Sequence, residues 1–322
     1  MRWEYAGAYD ARRTTRRAFV HSLVAMDPEL AAFIPLFPPA DLTDVPAARE
    51  LHAKLTASAP VPDLSGMDVE DHVVSGEADV PVRVYRPREA RGAILWFHGG
   101  GFVMGGLDSE HPWAARVAEA SGAVVVSVDY RLAPENPYPA AIDDAYAVLT
   151  WAAENAGRLG FDAGRLAVAG HSAGATIAAA LCLRTRDEGG PRVHFQLLNQ
   201  PGLDDRLETW SARHFTDTPW LTRGKLASAW GHYLAGRAAD EYAAPARAED
   251  LSGLPAAYIA SAEFCPNRDE DILYALRLLQ AGVPVELHQW PGTFHGSQAI
   301  TSAEVSRRQL AELGAVLRRA LA

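Results

Sequence analysis

The chain of 322 residues has little cysteine and no long apolar run. Two cysteines, Cys182 and Cys265, are too few for a disulfide framework, so a reducing cytoplasm is the expected location. No stretch approaches the roughly 18 apolar residues that a membrane-spanning helix needs, which predicts no membrane span. Basic residues are also scarce, with 30 lysines and arginines against 40 acidic residues. The resulting net charge of −10 argues against nucleic acid as a partner.

Short, mostly apolar runs recur from residue 80 onward and predict the strands of a sheet. These runs lie at 80–85, 93–97, 124–128, 166–169, 195–198, 257–260 and 285–288. Segments with helical composition separate most of them and are found near 110–120, 139–157, 174–187, 269–281 and 303–321. Strands that alternate with helices in this way predict an α/β fold, with a largely parallel sheet covered by helices on both faces.

Two segments differ from this alternating pattern. Residues 1–65 are amphipathic and punctuated by proline, and residues 204–250 are irregular and rich in tryptophan, histidine and tyrosine. No linker separates either segment from the rest, so 1–322 is predicted to form a single domain. The two segments are expected to form a helical cap over the strand ends, where α/β sheets place their sites.

The sequence G-H-S-A-G at 170–174 predicts a nucleophile elbow. It follows the apolar run 166–169 and precedes a segment of helical composition. A sharp strand-to-helix turn needs small residues on both sides of the serine, and it presents the hydroxyl above the sheet. Ser172 is therefore the candidate nucleophile, and the following helix directs its positive end at developing negative charge.

Two further motifs fit this serine. The sequence H-G-G-G-F at 98–102 follows the run 93–97, so the amides of Gly100, Gly101 and Ala173 are candidates for an oxyanion hole. His295 lies in the glycine-containing segment 291–297, just after the last predicted strand. In this architecture the histidine follows the nucleophile along the chain. His295 is therefore the candidate general base.

With these motifs the chain resembles the hormone-sensitive-lipase-like group of α/β-hydrolases from about residue 70 onward. The matching motifs lie at 98–101, 130–135, 170–174 and 291–296. The resemblance implies an eight-stranded sheet and a serine esterase that acts on small acyl esters through an acyl-enzyme on Ser172. It also implies that the partner is a small-molecule substrate and that no cofactor or metal is needed.

One position departs from the pattern of that group. The resemblance places the triad acid at the first residue of a D-P-x-R-D-E segment, and residues 265–270 here read C-P-N-R-D-E. Cys265 stands where the acid belongs. A thiol with an ordinary pKa of about 8.5 is mostly neutral at pH 7 and is a weak hydrogen-bond acceptor. The expectation is a carboxylesterase of small or aromatic acyl esters with an atypical Ser-His-Cys triad.

This departure leaves several interpretations open. Cys265 or a water molecule orients His295 in a weakened esterase, or another carboxylate takes over, for which the candidates are Glu263, Asp204 and Asp205. Alternatively hydrolysis is lost, and the pocket serves a lyase, cyclase, isomerase or binding protein for a specialised metabolite. A last alternative pairs a Cys265 thiolate with His295, which requires a strongly lowered pKa. The sequence also leaves open a homodimer formed through the last strand.

Overall fold

Eight strands form one sheet in the computed structural model, which describes residues 26–36, 41–57 and 61–322. The strands are β1 (Met67–Val74), β2 (Val80–Pro87), β3 (Ala93–Phe97), β4 (Val124–Val128), β5 (Leu166–His171), β6 (Phe195–Asn199), β7 (Ala256–Phe264) and β8 (Val285–Phe294). Their order in the sheet is β1-β2-β4-β3-β5-β6-β7-β8. β2 pairs antiparallel with β1 and β4, and all other pairs are parallel. The expected α/β-hydrolase fold is confirmed.

Helices cover both faces of this sheet. In chain order they are α1 (Pro28–Ala31), α2 (Val45–Ala57), α3 (Leu107–Ser121), α4 (Ala140–Glu154), α5 (Ala156–Leu159), α6 (Ala173–Asp187), α7 (Trp210–His214), α8 (Arg223–Leu234), α9 (Arg268–Gln280) and α10 (Glu304–Leu321). Short 3₁₀ turns lie at Ile34–Leu36, Ala163–Arg165, Pro245–Arg247 and Ser297–Ala299.

The two faces of the sheet bury separate cores. Ala93, Leu95 and Phe97 of β3 pack with α4, α6 and α9, whereas Ile94 and Trp96 pack with α3 and α10. Every residue of β3 and β4 is buried. This double burial explains why the central strands appear in the sequence as continuous apolar runs.

The first strand is absent from the runs found in the sequence. β1 pairs with β2 alone and forms one edge of the sheet. Its residues are mostly half-buried or exposed, and three of the eight are acidic. An edge strand with this composition lacks the apolar signal that marks the inner strands, because charge protects an edge against pairing with other chains.

The predicted cap segments are described in part. Residues 204–250 include α7 and α8, and residues 26–36, 41–57 and 61–65 belong to the N-terminal segment. The other residues of 1–65 lie outside the described ranges. Leu42 precedes α2, and Val45 is its first residue. Both pack with Ala229 of α8 and with Val103, which follows β3. The two segments therefore meet over the end of β3, and their assignment as a cap of one domain stays a prediction.

The far edge of the sheet is β8, where Leu287 is exposed. Exposed leucines of α9 are Leu273, Leu276 and Leu279. A homodimer through this strand stays a prediction. Within the described ranges, no helix is long and apolar enough to cross a membrane.

The first turn of α6 lies against the end of β3. Residues Ala173 to Leu183 of α6 are all buried. A Cβ atom at Gly174 would overlap the carbonyl oxygens of Phe97 and His98. Position 174 therefore requires glycine, because the helix backbone comes so close to the strand end.

We expect Gly174→Ala to lower the free energy of unfolding by about 1–3 kcal/mol, because the methyl group must displace backbone. Urea unfolding monitored by circular dichroism measures this change. Gly157→Ala on α5 is the matched control, since no atom lies within 4 Å of its added Cβ. An unfolding free energy for Gly174→Ala equal to that of the control would contradict the expectation.

Candidate active site

Ser172 occupies the sharp turn between β5 and α6. Its backbone adopts φ 53° and ψ −125°, a left-handed conformation that is rare for a residue with a side chain. The Ser172 backbone N–H donates to the Asn199 carbonyl oxygen at 2.9 Å, which fixes the turn to the end of β6. The turn places the Ser172 side chain at the carboxyl edge of the parallel strands, where α/β sheets bind ligands.

His295 follows directly after β8 and faces Ser172. Its Nε2 lies 2.9 Å from Ser172 Oγ. The next residue, Gly296, has φ +79° and donates its backbone N–H to Gln200 Oε1 at 2.8 Å. Gln200 Nε2 donates in turn to Gln298 Oε1 at 3.2 Å. Gln200 thus fixes the loop that carries His295, a role that the sequence analysis missed although Gln200 comes directly after β6.

Cys265 lies on the other side of the His295 ring. Its Sγ is 3.3 Å from His295 Nδ1, and the side chain is fully buried at the end of β7. If the Ser172 hydroxyl donates to Nε2, Nδ1 carries the ring proton and donates to the sulfur. The structure therefore brings the three predicted residues into one continuous chain of contacts.

This chain of contacts carries no formal charge. Burial raises the pKa of the Cys265 thiol well above its ordinary value, and the nearby Asp271 carboxyl raises it further. A hydrogen bond from the Asn267 backbone N–H lowers this pKa by a smaller amount. Burial also lowers the pKa of His295 to about 3, with a smaller contribution from His171. The neutral thiol offers His295 no negative charge to stabilise an imidazolium.

The structure does not bring the alternative carboxylates to His295. Glu263 Oε2 accepts the Gly292 backbone N–H at 2.7 Å. Each of the two aspartates that follow β6 forms an ion pair with an arginine: Asp204 with Arg206 at 2.7 Å and Asp205 with Arg247 at 2.6 Å.

The loop after β3 lies next to Ser172 because β3 and β5 are neighbours in the sheet. Gly100 and Gly101 have φ +118° and +61°, and a Cβ at Gly100 would overlap the Met104 carbonyl oxygen. Tyr130 stacks on His98 at 4.2 Å and donates its hydroxyl to the His98 carbonyl oxygen at 2.8 Å. These contacts hold the loop in a conformation that only glycine readily adopts.

His171, the variable residue of the elbow motif, connects the elbow to this loop. The Gly99 backbone N–H donates to His171 Nε2 at 3.1 Å. The other ring nitrogen, Nδ1, is 3.5 Å from Glu110 Oε1, which also accepts the Trp96 indole N–H at 2.7 Å. Burial lowers the pKa of His171 to about 4 and raises that of Glu110, so both groups favour their neutral forms.

Arg49 of α2 also holds this loop, from the N-terminal segment. Its Nε donates to the Val103 carbonyl oxygen at 2.7 Å, and its two terminal nitrogens bind the Glu135 carboxylate at 2.8 and 2.7 Å. It also donates to the Ala133 carbonyl oxygen at 3.0 Å. Arg49 therefore joins the loop after β3 to the segment 130–135, and nothing in its local sequence indicates this role.

A pocket opens beside Ser172 and His295, and both residues line it. Gly100, Gly101 and Ala173 also line it. The two predicted cap segments contribute mainly apolar side chains to its wall, namely Leu42, Trp220, Leu221, Leu226, Ala229 and Trp230. Among the described residues, no group of three or more histidine, cysteine, aspartate or glutamate side chains is arranged to hold a metal ion.

Comparison with known proteins agrees with this geometry. A protein family with the α/β-hydrolase fold matches residues 94–299. The carboxylesterase NlhH of Mycobacterium tuberculosis is 42% identical over an alignment of 286 residues, and the match covers 84% of this chain and 88% of that protein. This chain belongs to the hormone-sensitive-lipase-like group of α/β-hydrolases.

Solved structures of this group of α/β-hydrolases superpose closely on the chain. A bacterial heroin esterase is 42% identical with a TM-score of 0.88, and the match covers 94% of this chain and 99% of that one. An esterase of the hyperthermophilic archaeon Pyrobaculum calidifontis is 35% identical with a TM-score of 0.84, over 92% and 100% of the two chains. The predicted family and the predicted hydrolase class are confirmed.

We expect both thiols of this α/β-hydrolase to resist modification in the native state. Cys182 and Cys265 are fully buried, and burial raises the pKa of each, so little reactive thiolate forms near pH 7. Dithionitrobenzoate should therefore react with neither thiol until the chain is unfolded in guanidinium chloride. A Cys182→Ala variant assigns any remaining reaction to Cys265. Rapid, stoichiometric reaction of that variant at pH 7 would contradict the expectation.

Proposed function

We propose that this chain is a serine carboxylesterase that hydrolyses small or aromatic acyl esters through an acyl-enzyme on Ser172. The observation that carries the proposal is the 2.9 Å contact between Ser172 Oγ and His295 Nε2 in the wall of an apolar cavity. The names of the relatives, carboxylesterase and esterase, support the same class of reaction.

In the proposed first step, His295 Nε2 removes the hydroxyl proton as Ser172 Oγ attacks the ester carbonyl carbon. A serine hydroxyl is a weak nucleophile on its own, and a base within hydrogen-bond distance activates it. Attack forms a tetrahedral intermediate with a negative oxygen and an imidazolium. The low pKa of His295, about 3, keeps the imidazole unprotonated across the neutral pH range, but it also makes the ring a weak base.

We assign the stabilisation of that negative oxygen to the amides of Gly100, Gly101 and Ala173. Ala173 is the first residue of α6, so the positive end of the helix adds to the attraction. Removing one donor of such a site typically costs about 10²–10³ in turnover. The hydrogen bond from Gly99 to His171 and the contacts of Arg49 support the loop that supplies two of these donors.

The second half of the reaction repeats the first with water. His295 gives its proton to the departing alcohol oxygen, and the carbon–oxygen bond of the ester breaks to leave the acyl group on Ser172. A water molecule then loses a proton to His295 Nε2 and attacks the acyl carbonyl. Release of the carboxylic acid returns the proton to Ser172 Oγ and regenerates the free enzyme.

Cys265 is a weak partner for His295 in this scheme. Its sulfur accepts a hydrogen bond from the Nδ1–H group and so holds the ring in the tautomer that the reaction needs. A neutral sulfur nevertheless stabilises an imidazolium poorly. In serine proteases, loss of the acid's function costs about 10⁴ in turnover, while the oxyanion site still leaves about 10³–10⁴ over water. We therefore expect a slow esterase.

We expect wild-type protein to hydrolyse p-nitrophenyl acetate and Ser172→Ala to have lost this activity, because the variant lacks the nucleophile. Release of p-nitrophenol measures the rate, and a fluorophosphonate probe should label wild type alone, as mass spectrometry of the peptide that contains Ser172 would reveal. Equal hydrolysis by both proteins would rule out the proposed role of Ser172. Failure of the probe to label wild type would favour a non-hydrolytic enzyme on the same fold.

We expect Cys265→Asp to raise kcat for p-nitrophenyl acetate by about tenfold or more, since a carboxylate stabilises the imidazolium. The buried Asp271 lies close enough to Cys265 to influence its pKa, so it would oppose ionisation of the introduced acid. Adding Asp271→Asn should therefore increase the gain, and Asp271→Asn alone provides the matched control. If folded Cys265→Asp gains nothing in either background, another group already orients His295 or the chemical step does not limit turnover.

The same variants should differ in their pH dependence. A carboxylate at position 265 favours protonated His295 and raises its pKa, so the acidic limb of kcat/KM should move to higher pH. Wild type should stay active to lower pH, because its His295 has a pKa of about 3. Profiles of kcat/KM from about pH 4 to 8 would measure the apparent pKa of the acidic limb in each protein. A higher apparent pKa in wild type than in Cys265→Asp would contradict the proposed role of Cys265.

A further inference from the structure

The chain contains only two lysines, Lys54 and Lys225, beside 28 arginines. Lys54 lies on the exposed side of α2 and pairs with Glu50 at 2.6 Å. Lys225 lies on α8 and lines the cavity beside Ser172. Among the described residues of the cavity wall, Lys225 is the one with a formal charge at neutral pH. The proposed reaction does not use it.

The position of Lys225 is fixed by its helix and by one hydrogen bond. The Lys225 backbone N–H donates to Thr222 Oγ1, which caps α8. Its Nζ donates to the Trp220 carbonyl oxygen at 2.7 Å. An ammonium group has three N–H donors, so this bond uses one of them. Two N–H donors of this partly exposed ammonium remain for other partners, and Lys225 lines the cavity.

The charge of Lys225 is only partly compensated by its surroundings. Asp41 is the acidic residue that attracts it, but the exposed Asp41 carboxylate accepts the backbone N–H and hydroxyl of Thr43 at 2.9 and 2.8 Å. No ion pair within 4 Å joins Lys225 to an acidic side chain among the described residues. Partial burial lowers the pKa of Lys225, which indicates that its ammonium has lost part of its hydration.

A second polar group in the wall also lacks a partner. Asn267 follows Cys265 by two residues, lines the same cavity and is almost fully buried. Its Oδ1 has no hydrogen-bond partner among the described residues. Buried amide oxygens are usually satisfied, so this acceptor points to a hydrogen-bond donor on the ligand, in addition to the group that Lys225 binds.

We propose that Lys225 binds a carboxylate group of the ester substrate, which makes small esters with one anionic group the preferred substrates. The inference rests on the proposed esterase function and names the substrate class for it. A charge-assisted hydrogen bond is stronger in an apolar cavity than in water. The net charge of −10 gives an anion no long-range attraction, so the preference arises from this contact.

The test compares anionic esters with neutral esters of the same shape. For a carboxylate on the acyl side, the pairs are p-nitrophenyl half-esters of adipic and suberic acid against p-nitrophenyl hexanoate and octanoate. For a carboxylate on the alcohol side, the pair is p-acetoxybenzoate against p-acetoxybenzamide. The readout is the ratio of kcat/KM for the anionic ester to kcat/KM for its neutral partner, after subtraction of the uncatalysed rate.

We expect this ratio to be at least about tenfold higher in wild type than in Lys225→Met for one of the two substrate sets. Lys225→Glu should lower it further, because it repels the carboxylate. Lys54→Met removes the same charge from a distant exposed site and should keep the wild-type ratio. If Lys225 only held the Trp220 loop, its replacement would change kcat/KM for the anionic and the neutral ester by the same factor. The ratio would then stay unchanged.

Equal ratios in wild type and Lys225→Met for both substrate sets, with neutral esters still hydrolysed, would overturn the inference and leave the esterase function standing. If wild type hydrolyses no ester, the esterase function fails, and binding of p-acetoxybenzoate and p-acetoxybenzamide by calorimetry decides the inference. Binding of the anion at least about tenfold weaker in Lys225→Met than in wild type would support it. Equal binding of the anion by both proteins would overturn it.

Discussion

The close approach of α6 to the end of β3 is the constraint on which the candidate site depends. Gly174 admits no side chain there, and the resulting turn holds Ser172 in a left-handed conformation at the strand edge. The same approach places the amide of Ala173 beside the loop that begins at His98. The proposed nucleophile and oxyanion donors are thus fixed by backbone packing, which costs no reorganisation when charge develops.

The two histidines nearest Ser172, His171 and His295, are held by contacts with groups that favour their neutral forms. Burial lowers the pKa of both His171 and His295 and raises that of Glu110, so both histidines are uncharged near pH 7. Such a network positions groups well, but it stabilises an imidazolium less than an anionic partner does. The predicted outcome is an esterase whose geometry is complete and whose driving force for proton transfer is small.

Local patterns in the sequence predict most of this structure, and contacts between distant segments determine the rest. The inner strands are detectable because burial on both faces makes them continuously apolar, whereas the polar edge strand Met67–Val74 lacks that signal. The elbow, the glycine loop and His295 are recognisable from their motifs. Gln200 and Arg49 are not, since each acts through hydrogen bonds to segments more than fifty residues away. The wall position of Lys225 likewise follows from how α8 packs over the site.

Asp271, which lies behind Cys265 and just outside the C-P-N-R-D-E segment, offers a physical reason why a thiol is tolerated there. Glu270 and Asp271 are both buried in the first turn of α9, and burial raises the pKa of each carboxyl well above its ordinary value. A carboxyl group at position 265 beside Asp271 would be pushed towards its protonated form and would carry its own desolvation cost. A neutral thiol avoids both costs and still accepts the Nδ1 proton of His295. The stability of this region and the ability of the triad to stabilise an imidazolium therefore oppose each other. Replacing the acid at Asp271 is the change that would let a carboxylate at position 265 act on His295.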